Sequence, residues 1–296
     1  MKRCAAPLFA LTLLACRPAF DENDGLVSSA RVLAVKSEPA EAKPGEPVHF
    51  SALIAAPASS DVSAPSWHFC TAPKAAAENN AVSSACLNST ELVSVGRGLE
   101  IDAQPADDAC SLFGPDTPPG GFRPRDPDST GGYYQPLRVD LEGAEPVFHL
   151  QRIACGLGGA TSDVAMQFGA EYALNQNPKL LQLSARVSGE SVALDRIPSA
   201  ASVELSVSFA EAEYYVYYDL SAQSLTRKRE SLRVLWYVAT GKLDTGASGR
   251  AEDDLASTTE NRWHAPSAAG KSTLWLVLRD SRGGVDFATY DIDVQP

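Results

Sequence analysis

Short segments in which apolar and polar residues alternate dominate the C-terminal part of this 296-residue chain. In residues 201–209 (ASVELSVSF), every second residue from Val203 to Phe209 is apolar, and serines and a glutamate fill the positions between them. A period of two gives a strand one dry face and one wet face. Further strands are predicted at residues 179–187, 231–240, 272–279 and 285–294. Because no helical pattern interrupts them, they predict an antiparallel β-sandwich over residues 179–296.

The N-terminal part of the chain predicts a second set of strands with long loops between them. These strands are expected at residues 31–35, 47–54, 66–70, 133–141 and 146–155. Residues 72–131 are rich in proline and glycine, which favours irregular loops over another domain. The sequence therefore predicts a β-sandwich with long loops over residues 30–156.

One helix is predicted between the two sandwiches. Val164, Phe168 and Tyr172 recur at helical spacing in residues 162–172, and Thr161 or Ser162 can cap the first turn. The helix lies within a linker predicted at residues 157–178. The fold class predicted for the whole chain is all-β, with two antiparallel sandwiches in tandem and one short linking helix.

The first residues of the chain have the composition of a secretory signal. Met1-Lys2-Arg3 is followed by about a dozen mostly apolar residues, too few to span a bilayer as a helix. Leu13-Leu14-Ala15-Cys16 resembles the lipobox of bacterial lipoproteins. That resemblance implies a signal peptide over residues 1–15, a lipid on Cys16 and a tether over residues 16–29. An ordinary secretion signal cleaved nearby is the alternative.

The charge of the chain restricts its partners. The formal net charge is -12, and removing Lys2 and Arg3 with the signal takes it to -14. An acidic chain repels phosphate backbones and anionic lipid, so we expect no nucleic-acid partner and a membrane link through the lipid on Cys16 alone. Because Arg17 rather than Asp follows Cys16, the lipobox resemblance implies the outer membrane of a bacterial cell envelope.

The cysteines outside the signal and the lipobox predict two disulfides. Cys70, Cys86, Cys110 and Cys155 form an even set in an oxidising compartment, for which three pairings are possible. We favour Cys70–Cys86 and Cys110–Cys155 because short polar loops separate the partners. Closing the first loop stabilises the fold by roughly 3 kcal/mol if the effect is entropic.

No segment of the sequence carries a catalytic or metal-binding motif. Residues 189–193 (GESVA) lack the last glycine of a nucleophile elbow. His68 and Cys70 share one side of a predicted strand, and His149 and Cys155 are further donors, but paired Cys or His spacings are missing. The prediction is therefore a protein that is not an enzyme and has no metal or other cofactor.

The tyrosine run at residues 214–218 is the most suggestive binding feature. Neighbouring strand residues point to opposite faces, so some of these rings are expected at the surface, and Tyr214 and Tyr218 are the predicted binding residues. The alternative places Tyr215 and Tyr217 in the core and the other two over an edge. The basic cluster at residues 226–230 (TRKRE) is expected in a solvated turn.

Three segments carry a family resemblance. LWYVATG (235–241), NRWHAPSAAG (261–270) and LWLVLRDSRGGVDF (274–287) resemble the Ig-like or PKD-like repeats of bacterial surface proteins. Together with the lipobox, they make the chain resemble uncharacterised bacterial outer-membrane lipoproteins. The resemblance implies Ig-like sandwiches in a non-catalytic interaction or structural module of the envelope, acting in assembly or adhesion on an envelope or extracellular protein. A carbohydrate-binding lipoprotein that uses the tyrosine cluster is the alternative, and a hydrolase without a recognisable motif is a further one.

Overall fold

The computed structural model describes residues 25–57, 62–74, 78, 81–115 and 129–296. The predicted signal peptide, the lipidated Cys16 and most of the predicted tether lie outside these residues. Within the described part of the chain, no helix has the length and apolar character to cross a bilayer.

The described residues of the first half form eight strands and two single-turn helices. The strands are β1 (Arg31–Glu38), β2 (Glu41–Ala42), β3 (Val48–Ala55), β4 (Ser66–Cys70), β5 (Leu92–Arg97), β6 (Glu100–Ala103), β7 (Gly132–Asp140) and β8 (Val147–Ala154). The helices are α1 (Ser84–Leu87) and α2 (Ala109–Leu112).

These strands form two sheets that face each other. One sheet has the order β1-β3-β6 and the other β2-β8-β7-β4-β5, with β2 and β8 parallel and the remaining pairs antiparallel. Their inner faces close over Phe50, Trp67 and Leu137, each fully buried. Apolar alternation in β3 and β4 supplies part of this core, and β1, β6 and β7 supply further residues.

Two disulfides hold the loops of the first sandwich. Cys70 bonds to Cys86 and Cys110 bonds to Cys155, the pairing favoured from the sequence. The first bond ties the end of β4 to α1, and the second ties α2 to the chain just after β8. Both therefore connect a loop element to a core strand.

The segment between the sandwiches contains the predicted helix. This helix, α3 (Ser162–Glu171), has Thr161 as its N-cap residue, although no side-chain hydrogen bond caps it. Phe168 is its buried residue, and its ring packs against Tyr172 with centroids 4.7 Å apart. Residues 172–178 then lead into the second half of the structure.

The second half contains twelve strands. They are β9 (Leu180–Val187), β10 (Glu190–Val192), β11 (Ile197–Pro198), β12 (Ser202–Phe209), β13 (Tyr214–Asp219), β14 (Ser224–Arg229), β15 (Leu232–Val238), β16 (Lys242–Leu243), β17 (Ala247–Arg250), β18 (Thr258–His264), β19 (Gly270–Asp280) and β20 (Val285–Gln295). A single 3-10 turn at Leu194–Arg196 precedes β11.

Ten of these strands form the second sandwich. One sheet has the order β10-β9-β12-β18-β16 and the other β11-β20-β19-β15-β17. Trp236 and Trp263, one from each sheet, meet in the core with Leu205. The five strands predicted here are confirmed, and the all-β fold class is confirmed with them. The segment around Trp263 is strand β18, which lies between β12 and β16.

An apolar contact joins the two sandwiches. Leu33 and Leu53 on the outer face of the first pack against Trp275, Val277 and their neighbours on the outer face of the second. The alternation in β3 predicts one buried and one exposed face, but this contact covers both faces. Val48 and Phe50 face the first core, whereas Leu53 and Ala55 face the second sandwich. Strand periodicity predicts two faces but not what covers each of them.

Candidate functional site

The tyrosine run forms the first strand of a separate hairpin, which we call the tyrosine hairpin (residues 214–229). Strands β13 and β14 make a two-stranded sheet of their own, with Tyr214 opposite Arg229 and Asp219 opposite Ser224. In the turn, Asp219 Oδ1 accepts hydrogen bonds from the backbone nitrogens of Ser221 (2.8 Å) and Ala222 (3.1 Å). A side chain that ties down its own turn favours this hairpin locally.

Tyr214 and Tyr218, the predicted binding residues, differ in their exposure. Tyr214 is 59% exposed, but Tyr218 is only 3% exposed. The two rings share one face of β13 with the buried Val216, and that face turns towards the protein body after Tyr214. The backbone nitrogen of Tyr218 donates to the carbonyl of Ser129 at 2.8 Å. Tyr218 is therefore a packing residue, and the predicted binding surface retains Tyr214.

The other two tyrosines of the run are half-buried and lie beside cations. Lys228 Nζ lies 4.1 Å from the centre of the Tyr217 ring, and the Arg282 guanidinium lies 4.9 Å from the centre of the Tyr215 ring. Contacts at such distances between a cation and an aromatic face are attractive. The core packing proposed for Tyr215 and Tyr217 is thus wrong: they pack against charged groups.

The basic cluster at residues 226–230 is not a solvated turn. Residues 224–229 form β14, and Arg229 and Glu230 are buried. Arg229 Nη1 donates to the carbonyl of Asp254 at 2.6 Å. Arg227 keeps the exposed position expected of the cluster and lies 3.8 Å from the carboxylate of Glu171 on α3.

One buried arginine holds both ends of the tyrosine hairpin. Arg282 lies in the turn between β19 and β20, and its Nε donates to Glu230 Oε1 at 2.6 Å. Its Nη2 donates to Glu213 Oε2 at 3.0 Å. Glu213 directly precedes β13 and Glu230 directly follows β14, so a single guanidinium joins the two feet of the hairpin to the second sandwich. We call Arg282, Glu213 and Glu230 the hairpin clasp.

A further carboxylate makes the surroundings of the clasp rich in negative charge. Asp280 is buried and accepts from the backbone nitrogens of Arg282 and Gly284, both at 2.8 Å, and from Asn175 Nδ2 at 3.3 Å. Burial raises the pKa of Asp280. Burial, together with the charge of Asp280, raises the pKa of Glu230 to about 7 in spite of Arg282. Three carboxylates around one guanidinium therefore leave a group that titrates near neutral pH.

A second buried ion pair connects the clasp to the first sandwich. Arg152 Nε lies 3.1 Å from Glu41 Oε2, and both side chains are buried. The hydroxyl of Tyr172 and the backbone nitrogen of Asn175 both donate to Glu41. On the other side, the hydroxyl of Tyr134 accepts from Arg152 Nη1 at 2.9 Å and donates to the carbonyl of Arg282 at 3.2 Å. This chain of polar contacts links both sandwiches, the segment after α3 and the hairpin.

No local sequence pattern marks the residues of this polar network. Glu41, Glu213, Glu230 and Arg282 are charged residues at strand ends or in turns, where such residues are ordinarily exposed. The one signal available was Arg152, which alternates with Leu150 and Ala154 on one face of a predicted strand.

The residues considered for metal binding do not come together. Cys70 and Cys155 are in disulfides. His68 Nδ1 lies 3.3 Å from Asp140 Oδ2, whereas His149 is buried elsewhere. Among the described residues there is no group of three or more His, Cys, Asp or Glu side chains that could hold a metal ion.

The serine string at residues 189–193 is a hairpin. Gly189 has a φ of +86° in the turn between β9 and β10, a backbone conformation that favours glycine, and Ser191 lies in β10. A nucleophile elbow instead requires a sharp strand-to-helix turn.

A cavity of about 510 Å³ lies between α3 and the chain that follows β8. Its walls are mainly glycine, alanine and apolar side chains, with Phe168, Tyr172 and the Cys155 disulfide on its sides. The hydroxyl of Tyr172 already donates to Glu41. Among the described residues that line it, none has an acidic, basic or imidazole side chain.

No protein-family model matches the chain, and no curated protein matches it. Solved structures match over most of its length but at low similarity. The adhesin InvE of Yersinia pseudotuberculosis matches at 9% identity and a TM-score of 0.22, covering 92% of this chain and 61% of its own. Red sea bream transglutaminase matches at 10% identity and a TM-score of 0.25, covering 91% of this chain and 32% of its own.

A third similar structure is the Bacteroides ovatus protein SGBP-B from a mixed-linkage glucan utilization locus, in complex with a heptasaccharide. It matches at 11% identity and a TM-score of 0.20, covering 90% of this chain and 47% of its own. The chain thus spans between about a third and three fifths of the length of these structures. Its own sheets define it as a protein of two β-sandwiches with a separate hairpin.

Proposed function

We propose that this chain is a non-catalytic interaction module of the bacterial cell envelope, anchored by a lipid on Cys16, and that the tyrosine hairpin is its contact surface. The observation that supports this proposal is the clasp, which holds a hairpin bearing an exposed tyrosine outside both sandwiches. The partner is an envelope or extracellular protein.

Such a hairpin suits recognition because its conformation is largely fixed before a partner binds. Arg282 fixes both feet, and cations hold the rings of Tyr215 and Tyr217. A surface that is ordered before binding loses less conformational entropy on association. Tyrosine is enriched among the residues that dominate interface energies, which favours Tyr214 as the first contact.

The contact surface can be tested with a photo-crosslinking amino acid in intact cells of the producing bacterium. Placed at position 214, it should give a defined cross-linked band that disappears when Arg227 and Tyr217 are both replaced by alanine. The matched control places it at Glu204, which is exposed on the outer face of the second sandwich. Equal bands from both positions, or none from position 214, would reject the hairpin as the contact.

The proposed anchor has its own test. Replacing Cys16 with serine should move the protein from the membrane fraction to the soluble envelope fraction, with the two disulfides still formed. A variant that stays in the membrane fraction contradicts a lipid on Cys16.

A glycan ligand is the competing function, and the burial of Tyr218 weakens it because two flanking rings were its basis. Binding of the wild type to a glycan array, lost on Tyr214→Ala, would replace the protein partner by a carbohydrate.

A further inference from the structure

Two arginines stand next to the contact between the sandwiches. On the outer face of the second sandwich, Leu235 and Val277 pack against the first sandwich. Arg233 and Arg279 are the next pair along β15 and β19 on the same face. Arg233 is exposed and Arg279 is half-buried, so the pair lies at the rim of the apolar contact.

Arg233 and Arg279 place two like charges opposite each other at this rim. Arg233 and Arg279 are direct partners in the β15–β19 register, and directly opposed like charges destabilise a sheet. Within the described residues, neither guanidinium makes a hydrogen bond, ion pair or ring contact. Burial lowers the pKa of Arg279, and the hydroxyl of Tyr237 opposes that shift only in part. A half-buried cation beside a like charge is the arrangement that an anion would stabilise.

A buried histidine from the first sandwich lies close to the same arginine. His149 is 6% exposed, and its Nε2 has no hydrogen-bond partner among the described residues. Burial, followed by the charge of Arg279, lowers the pKa of His149 to about 4, so its ring is neutral at neutral pH. The ring that the first sandwich places near Arg279 is therefore a neutral imidazole, which adds no negative charge there.

We propose that Arg233 and Arg279 form a binding site for an oxyanion, a carboxylate or a phosphate group, at the rim of the junction between the sandwiches. Each guanidinium presents a planar set of N–H donors that matches two oxygens of such a group. An anion between them replaces the repulsion with charge-assisted hydrogen bonds. The site is separate from the tyrosine hairpin and does not depend on its function.

The ligand group can come from an acidic side chain or from a phosphorylated compound, and the test separates these sources. The full-length protein is titrated by calorimetry with sodium malonate and, separately, with sodium phosphate, at constant ionic strength. Binding of malonate alone assigns a carboxylate, binding of phosphate alone assigns a phosphate, and binding of both supports the shared chemistry.

Three variants locate the site. Arg279→Gln and Arg233→Gln should each weaken binding about tenfold or more, the effect of losing roughly 1.4 kcal/mol of charged contacts. Arg186→Gln, which removes an exposed arginine on the other sheet of the second sandwich, should leave the affinity within about twofold. Because Arg233 is exposed, its variant is expected to fold even if the Arg279 variant does not.

A second measurement needs no ligand. At low ionic strength the Arg233→Gln variant should unfold at a temperature equal to or above that of the wild type, because it removes the repulsion. Failure of both anions to bind, unchanged affinity in Arg233→Gln, or a lower unfolding temperature for that variant would overturn the proposal.

Discussion

At the scale of single residues, Arg282 connects more parts of the structure than any surface residue of the hairpin. Its side chain contacts Glu213, Glu230 and the ring of Tyr215, and its carbonyl accepts from Tyr134. A buried ion pair does not necessarily stabilise a fold, because the cost of removing both charges from water opposes their attraction. Loss of one partner is costly nonetheless, since it leaves the other charge buried and unpaired.

Replacing Arg282 with methionine tests this role. We expect the variant to lose about 3 kcal/mol or more in free energy of unfolding, because Glu230 and Asp280 keep their burial without a counter-charge. The measurement is urea unfolding at neutral pH. The matched control is Arg227→Met, an exposed arginine of the same hairpin, expected within about 0.5 kcal/mol of wild type. Equal effects in the two variants would contradict the clasp.

Glu230 makes stability depend on pH. Its folded pKa of about 7 lies above the ordinary value of 4.5, so the folded state binds a proton more tightly than the unfolded state. The stabilisation from that proton is present in full below pH 4.5 and is lost as pH rises through 7. This proton contributes up to about 3 kcal/mol to the free energy of unfolding, because each unit of pKa difference corresponds to roughly 1.4 kcal/mol.

The pH dependence is measured by urea unfolding of wild type and Glu230→Gln across this range. The wild type should lose stability relative to the variant as pH rises, because glutamine cannot ionise. A difference between the two proteins that stays constant with pH would show that folding does not raise the pKa of Glu230.

At the scale of elements, one strand of the tyrosine hairpin carries both buried packing residues and an exposed ring. Tyr214, Val216 and Tyr218 share a face of β13, but the last two lie against the protein and the first does not. The strand is therefore anchored at its far end, while the clasp holds its beginning. This division separates residues that stabilise the hairpin from residues free to contact a partner.

Alanine substitution of the two terminal tyrosines distinguishes these roles. Tyr218→Ala should cost about 3 kcal/mol in free energy of unfolding, because a large buried side chain leaves a cavity. Tyr214→Ala should change stability by about 0.5 kcal/mol or less. Thermal unfolding of both variants provides the comparison, and a large loss in Tyr214→Ala would mean that this ring is also a packing residue.

At the scale of the whole molecule, the two sandwiches are joined by an apolar contact beside a polar one. Trp275, Val277 and Leu33 form the apolar part, and the chain of contacts from Glu41 to Arg282 forms the polar part. Because both parts link the same two sandwiches, we expect the protein to unfold in a single cooperative transition.

Val277→Asp tests that cooperativity, since it places a carboxylate in the centre of the apolar contact. The expected result is two separate unfolding transitions by calorimetry, with each sandwich still folded at low temperature. Thr289→Asp serves as the control because this residue is exposed on the neighbouring strand β20. One unchanged transition in Val277→Asp would show that the contact does not couple the sandwiches.

The strands of the second sandwich could be predicted in detail because each one shows apolar and polar alternation between neighbouring residues. Alternation in residues 201–209 requires only neighbouring residues, and it survives whatever the strand packs against. The helix at α3 was equally predictable from the spacing of Val164, Phe168 and Tyr172. The pairing of Cys70 with Cys86 followed from the short loop between them.

The sequence by itself therefore determined the all-β class, the positions of most strands and the favoured disulfide pairing, because these depend on interactions between residues near in the chain. Only the tertiary structure decided that Tyr218 is buried while Tyr214 is not, that Arg282 reaches Glu213 and Glu230, and that β3 is covered on both faces. The physical reason is the same in each case. A strand's alternation defines two faces, but burial and ion pairing depend on which distant element covers them, and no local pattern carries that information.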